Sequence, residues 1–337
     1  MAKEILVGVD LGGTSLLAIA TNTEGKILGE KKRKTRAKEG ASAVLKRIAE
    51  TIRDTVHGAG ARLKNVRAIG LGVPGPLDPK TGVVLHAPNL GPTWNNLPVA
   101  AYLSETLGCP VYLANDVNVG AIGEYALGAG KGFRNLVAIF VGTGIGGGII
   151  LNGKLYRGTR CSAGEIGHTI LMADGPLCGC GKRGCAEALA SRTAIEREIR
   201  AGILAGQESL IPTIMEELGR ESMSSSVIAT ALEQGDALTQ DVVARAEYYM
   251  GLLVASIVNV LDPEVVVLGG GVVERLGTSY IEPVRKTAER YYLNQLDKDR
   301  IHIVETQLKG YAGVLGAAIL ADQSWKRAQK PKATKPT

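Results

Sequence analysis

Apolar positions along the chain follow two rhythms. "ILVGVD" (5–10) is a short, nearly continuous apolar run rich in β-branched residues, the pattern of a strand buried on both faces. "SLLAIATN" follows it across a glycine turn, and "GKILGEKKRK" follows "NTEG", a cluster of turn formers, so the opening segment predicts three successive strands. The spacing then changes: Val44, Leu45, Ile48, Ile52 and Val56 recur on one helical face within "GASAVLKRIAETIRDTVHGAGA", which stops at glycine. "VRAIGLGVPGPLD" predicts a buried strand entering a Pro/Gly loop, and "PVYLANDVNVGAIGEYALG" a strand leading into a helix.

The same order is partly echoed downstream. "NLVAIFVGTGIGGGIILNGKLYRG" again predicts strand, glycine turn, strand, turn and strand. A long helix, "ALTQDVVARAEYYMGLLVASIVNVLD", precedes the strand "EVVVLGGG", and the strand "IHIVET" precedes a helix-like "GYAGVLGAAILADQ". The two halves look like diverged copies of one unit, without an exact repeat. "GQESLIPTIMEELGRESMSSS" (206–226) predicts helix and connector and carries no legible chemistry. A chain of 337 residues exceeds what one hydrophobic core usually serves, so two domains are expected.

Composition fits a soluble globular protein, with 45% hydrophobic and 21% charged residues, while 44 glycines point to tight turns and close backbone approaches. The formal charge of +6 suggests a polyanion partner until its position is considered. Lys326, Arg327, Lys330, Lys332 and Lys335 lie in the tail "WKRAQKPKATKPT", which holds no acid; without these five the excess is +1. The tail, residues 326–337, is read as basic and disordered. A second basic run, "KKRKTRAK" (31–38), reads as an edge strand kept from aggregating by its charge, with an anion or nucleic-acid contact as the alternative. No apolar run approaches the ~18 residues of a membrane span, and the start "MAKE" is not a signal sequence. With five cysteines, an odd number with three clustered, reduced thiols and a cytoplasmic location are expected.

Two loops deliver a strand into glycines: "VDLGGTS", with Asp10, Gly12, Gly13 and Thr14, and "VGTGIGGG", with Gly142, Thr143, Gly144, Gly146, Gly147 and Gly148. Glycines let backbone N–H groups approach phosphate oxygens, and Thr14 and Thr143 add hydroxyls. The second loop also spells G-x-G-x-x-G, but "IILNGKLY" after it reads as a returning strand, whereas a dinucleotide fingerprint opens a helix. One such turn in each half, the first preceded by an acid able to organise Mg2+, suggests ATP held between two domains. A third cluster, Gly269, Gly270 and Gly271, would let backbone approach a base or ribose. Finally, His168, Cys178, Cys180 and Cys185 are spaced H-x9-C-x-C-x4-C. One imidazole and three thiolates suit closed tetrahedral zinc; a bridge between Cys178 and Cys180 would be strained, and no C-x-x-C redox motif is present. Cys109 and Cys161 are read as ordinary small hydrophobes.

In this order, "VDLGGT", "GLGVPGPLD", "LANDVNVGAIGE", "FVGTGIGGGII", "AGEIGH", "CGCGKRGCAEALAS", "LDPEVVVLGGGV" and "GVLGAAIL" closely resemble the ROK family (repressor, open reading frame, kinase) and, within it, its glucokinases. The resemblance implies an α/β, two-domain actin-like ATPase fold of the ribonuclease H type with an interdomain cleft, and a homodimer. Its expected division is 1–118 with a returning 308–325, and 119–307 with a zinc-binding insertion. It implies phosphorylation of glucose at the 6-hydroxyl by ATP with Mg2+, Asp116 as general base, and a structural zinc shaping the sugar pocket. By residue type alone Asp116 could equally cap its helix. Gly75, Asn89, Asn115, Glu165, His168 and Glu187 match family positions that bind sugar hydroxyls, and His168 is expected to present one ring nitrogen to zinc and the other to sugar. Asp10, Gly12, Gly13, Thr14, Thr143, Gly144, Gly146 and Gly269–Gly271 are expected on the nucleotide side. N-acetylmannosamine, mannose or fructose as acceptor, or polyphosphate as donor, are the alternatives. A sugar-responsive repressor is disfavoured, because the "DLGGT" strand begins within ten residues of Met1, so neither nucleic acid nor membrane is an expected partner.

Overall fold

The computed structural model describes residues 4–330. The chain divides into two compact units, one built from the chain up to Lys131, Leu155–Ala163 and the chain from Gly310 on, the other from Gly132–Lys154 and Gly164–Lys309.

The first unit opens with the meander β1 (Ile5–Leu11), β2 (Ser15–Thr21) and β3 (Ile27–Lys34), followed by α1 (Ala41–Gly58) and β4 (Val66–Val73). A small antiparallel sheet comes next, β5 (Leu77–Asp78), β6 (Val83–His86) and β7 (Asn95–Leu97), then α2 (Val99–Leu107), β8 (Val111–Asn115) and α3 (Asp116–Leu127). The main sheet has the order β3-β2-β1-β4-β8, antiparallel among its first three strands and parallel thereafter. β1 and β4 are almost wholly buried, which is why they read as continuous apolar runs. β3 is the sheet's edge and largely exposed; the basic run lies along it, with Arg33 paired to Glu50 and Asp54 on α1.

The second unit repeats the plan. β9 (Leu136–Val141), β10 (Ile145–Leu151) and β11 (Lys154–Leu155) form its meander. Helices α4 (Ala186–Ala190), α5 (Arg192–Leu204), α6 (Ile211–Glu217), α7 (Ser225–Glu233) and α8 (Ala237–Leu261) follow, then β12 (Val265–Gly269), α9 (Gly270–Leu276), α10 (Thr278–Arg290) and β13 (His302–Glu305). Its sheet order, β11-β10-β9-β12-β13, matches that of the first sheet, with β10–β9 antiparallel and β9–β12 and β12–β13 parallel as in their counterparts, so the repetition expected from sequence is a repetition of topology. α8 is buried along most of its length and carries Val242, Met250, Val254 and Val258 into the core.

After β13 the chain returns to the first unit as α11 (Ala312–Ala328), which packs on β1, β4 and α3. The packing is backbone against backbone. A Cβ on Gly8 would stand 2.0 Å from the Val314 carbonyl oxygen, one on Gly70 1.8 Å from that of Ala317, and one on Gly316 1.7 Å from that of Val119. Small residues, "AGVLGAA", let the helix sink this far.

Two expectations need correction. The first unit runs to Lys131, not 118, and takes back 155–163, because α3 is clasped between the sheet and α11. The basic tail does not begin at 326: Lys326 and Arg327 lie in the last turn of α11, with Lys326 paired to Asp322. Residues 331–337, including Lys332 and Lys335, lie outside the described residues. Among the described residues no helix is long and apolar enough to cross a membrane.

Gly70→Ala is expected to destabilise the protein by about 3 kcal/mol or more, the upper end for overpacking, since only backbone movement relieves the contact. Denaturant unfolding would measure it, and a loss below ~0.5 kcal/mol would contradict the seating of α11.

Candidate functional site

In the first unit, the carboxylates are gathered where β1, β4 and β8 end. Asp10 lies beside Gly72 in the β1–β4 register, and Asp116 is the first residue of α3, directly after β8. A Cβ on Gly72 would meet the Val119 side chain at 2.6 Å and would stand within 3.5 Å of Asp116 Cα and 3.7 Å of Asp10 Oδ1, so the two acids flank one glycine while its missing side chain makes room for Val119. Burial, reinforced by the Asp116 charge, pushes the Asp10 carboxyl up to about 7. The cap of α3 is not Asp116 but Asn115, whose Oδ1 accepts from the amides of Val117 (3.0 Å) and Asn118 (3.4 Å). The Val117 amide also lies 2.9 Å from Asp116 Oδ1, and the Asn115 side-chain amide reaches the Gly75 carbonyl at 3.5 Å. Gly75 has φ +93°, and a Cβ there would meet the His86 carbonyl oxygen at 2.2 Å, so only glycine fits.

The β1–β2 turn closes tightly, with the Gly12 amide donating to the Ser15 carbonyl (2.8 Å). Thr35, fully buried, laces it from outside: its hydroxyl donates to the Gly12 carbonyl (2.6 Å) and its amide to the Thr14 carbonyl (2.9 Å). A Cβ on Gly13 would lie 3.1 Å from the Asn89 carbonyl oxygen, so the turn and the Asn89 loop are neighbours.

In the second unit, the three cysteines are folded into a knot. The Cys178 amide donates to the Lys182 carbonyl (2.8 Å) and the Gly181 amide to the Cys178 carbonyl (2.9 Å). Gly184, at φ +75°, lies where a Cβ would overlap the Met172 carbonyl oxygen at 1.6 Å. The donor atoms of His168, Cys178, Cys180 and Cys185 all lie within 4.8 Å of one another. The Cys180 and Cys185 sulfurs are 3.7 Å apart, and Cys178 Sγ is 3.7 Å from His168 Nδ1. These distances exclude disulfides, which need about 2.05 Å. They match the edges of a tetrahedron around zinc, about 3.8 Å between thiolates and about 3.6 Å from thiolate to imidazole for Zn–S ≈ 2.3 Å and Zn–N ≈ 2.0 Å. Burial pushes the Cys178 thiol up to about 12 and raises that of Cys185, while the Lys182 amide draws Cys180 down. The three thiols could ionise together at this spacing only around a cation, and the donor set and geometry both fit zinc. The other His168 nitrogen, Nε2, lies 4.0 Å from Glu165 Oε2, and the Glu165 carboxylate is exposed.

Glu187 follows Cys185 into the first turn of α4. One carboxylate oxygen accepts from the Ile145 amide (2.9 Å) at the end of the β9–β10 turn, and the other lies 3.5 Å from Cys178 Sγ. A Cβ on Gly144 would collide with this carboxylate at 2.2 Å. The turn itself covers only Gly142–Gly144. Gly146 lies inside β10 opposite Phe140, and Gly147 leaves room for Ile166, whose side chain would stand 2.2 Å from a Cβ there. Gly269 ends β12 and Gly270, at φ +85°, opens α9 against the backbone of Val141.

Sequence reasoning overlooked Thr35, because nothing local marks a residue distant in the chain as the lace of a turn. It also overlooked Arg192 and Thr193, although Ser191 before them is a readable helix cap whose hydroxyl accepts from the Ala194 amide.

With this geometry in hand, comparison with known proteins is informative. The sequence pattern defining the ROK family matches residues 6–324. The chain is 34% identical to a glucokinase of Halalkalibacterium halodurans, with 99% of this chain and 100% of that protein covered, and 36% identical to a glucokinase of Thermotoga maritima, with 94% and 97% covered. Among solved structures it is similar to a ROK family glucokinase from Streptomyces griseus in complex with glucose and AMPPNP, at 35% identity and a TM-score of 0.80, over 95% of this chain and 99% of that one.

Asp10 and the metal knot each yield a test. Because the folded Asp10 carboxyl titrates near 7 and an unfolded one near 3.8, folding retains a proton between these values, and stability falls as pH rises through that window. Asp10→Asn is therefore expected to be more stable than the parent at pH 8, by up to about 4 kcal/mol, with the gain vanishing near pH 4; a pH-independent difference in thermal unfolding would contradict this. Elemental analysis is expected to find about one zinc per chain, and Cys185→Ser to abolish it and lower the melting temperature by several degrees; a metal-free, equally stable parent would rule the knot out as a zinc site.

Proposed function

The chain belongs to the ROK family, and we propose that it is an ATP-dependent hexose kinase that phosphorylates glucose at the 6-hydroxyl. The observation that carries this reading is Asp116, set by the β8–α3 junction beside Asp10 at the ends of parallel strands. Strand ends in parallel sheets are where α/β proteins display reacting groups. The chain-long similarity to glucokinases, and to one holding glucose and an ATP analogue, supports both the acceptor and the donor.

Phosphoryl transfer to a sugar needs an acceptor for the hydroxyl proton and positive charge around the moving phosphoryl group. Asp116 is the proposed acceptor, fixed in orientation by its own turn of helix. In a loose transition state the proton leaves late, so positioning matters more than basicity. Asp10 is the proposed anchor for Mg2+, which supplies that positive charge when bound. Its carboxyl, lifted by burial and by Asp116, is one that a cation would return to the ionised state. The β1–β2 and β9–β10 turns offer backbone amides and the hydroxyls of Thr14 and Thr143 to phosphate.

Glu165 and the Nε2 edge of His168 are proposed to receive sugar hydroxyls, with zinc on Nδ1 fixing the ring. Asn115 is proposed to contribute through its amide, its oxygen being engaged as the helix cap. Gly75 and Asn89 are proposed to act through shape and backbone. Glu187, which binds the β9–β10 turn, would reach a sugar only by sharing its carboxylate between the two.

The test is an ADP-release assay over glucose, mannose, fructose and N-acetylmannosamine, with ATP or polyphosphate as donor. Turnover is expected with ATP and to be greatest with glucose. Asp116→Asn is expected to lower kcat by 10²–10⁴ while leaving affinity for an ATP analogue within about twofold. Near-normal turnover in that variant would remove Asp116 from the mechanism, and sugar-responsive DNA binding without turnover would overturn the kinase reading.

A further inference from the structure

The β9–β10 turn is held from one side by a single continuous segment, Cys185–Thr193. It starts at a ligand of the metal knot. Two residues later Glu187 accepts from the Ile145 amide, which ends the turn. After α4, the Arg192 amide donates to the Gly142 carbonyl (3.0 Å), which begins it. The Thr193 hydroxyl donates to the Thr143 carbonyl (2.7 Å), and the Arg192 guanidinium to the Thr143 hydroxyl (3.2 Å). Every residue of Gly142–Ile145 except Gly144 is therefore bonded by this strap, and Gly144 is where Glu187 needs the space of a Cβ.

The strap is itself anchored at both ends. Cys185 is fully buried and belongs to the knot; the Ala186 amide donates to the Thr169 carbonyl next to His168 (2.9 Å). At the other end, Arg192 also donates to the Met223 carbonyl (2.8 Å) and pairs with Glu196. A displaced knot must therefore drag the turn, since α4 is too short, at five residues, to absorb the movement within itself.

We propose that Arg192 and Thr193 are positioning residues for the phosphate-binding turn, and that the Cys185–Thr193 strap couples the zinc knot to nucleotide binding. The inference rests on the kinase reading and deepens it. Thr193 fixes the turn's backbone, and Arg192 orients the Thr143 hydroxyl while placing a cation beside it. Linkage is reciprocal: if an ordered knot favours the nucleotide-binding form of the turn, bound nucleotide must retain zinc to the same degree.

The experiment uses the full zinc-loaded chain and two readings, the Kd of a non-hydrolysable ATP analogue and the rate of zinc release to a chromogenic chelator with and without that analogue. Thr193→Val is expected to weaken the analogue about five- to tenfold, the range of one or two lost hydrogen bonds, and to leave the sugar KM within about twofold, while Thr193→Ser restores the parent value. Arg192→Ala is expected to act in the same direction. In the parent the analogue is expected to slow zinc release several-fold, and in Thr193→Val it is not. A parent that fails to bind the analogue overturns the kinase reading. A parent that binds it, with release unaffected and Thr193→Val binding equally well, overturns the strap alone. A loss in Thr193→Val that Thr193→Ser does not rescue, or that moves the sugar KM equally, assigns these residues to general folding and also overturns it.

Discussion

The structure depends on backbone meeting backbone where a Cβ would stand in the way. In the first unit Gly8 and Gly70, on neighbouring strands, admit α11 to direct contact with the sheet, and Gly316 admits it to α3. That contact ties α3, whose first residue is Asp116, and β1, whose penultimate residue is Asp10, to the same helix. In the second unit the same device seats the His168 segment: a Cβ on Gly167 would stand 2.0 Å from the Ile145 carbonyl oxygen, and one on Gly164 2.5 Å from that of Gly147. Many of the chain's glycines are therefore used for packing. Their contribution to function is to bring elements close enough for side chains from different segments to meet.

The knot around His168 and Cys178–Cys185 adds a second constraint of a different kind. Its buried thiols resist ionisation, yet their spacing is that of a metal's coordination shell. A bound cation would resolve the conflict by making thiolates the favoured form, and would tie the conformation of about twenty residues to one ion. Glu165, His168 and Glu187 all lie within or beside those residues, so a bound ion would hold these polar groups rigid on an otherwise loop-rich stretch.

Much of this was legible beforehand. The central strands of both sheets could be read because they are buried on both faces, which writes apolar runs into the sequence, while the exposed edge strand β3 was marked by its charge and by the turn formers before it. The clustering of His168, Cys178, Cys180 and Cys185 could be read because four side chains of suitable chemistry recur at a short spacing. The end of α11 was misplaced because a Lys/Arg-rich stretch looks alike as a solvated helix turn and as a tail. The unit boundary was misplaced because α3 gains its partner from a helix at the far end of the chain. Asp116 could be located at a strand-to-helix junction, but that Asn115 would take the cap was not readable, since both residue types cap well.

By itself the sequence determined the main element types, the duplicated plan, the family and the short spacing of His168, Cys178, Cys180 and Cys185, because each is encoded in local periodicity or short spacing. The tertiary structure alone decided which residues share a site. Asp10 meets Asp116, Thr35 laces the β1–β2 turn, and Glu187, Arg192 and Thr193 bind the β9–β10 turn, all through contacts between segments far apart in the chain. Such contacts leave no periodic trace, since they are set by how closely backbones approach and by which buried polar groups remain to be paired once they do.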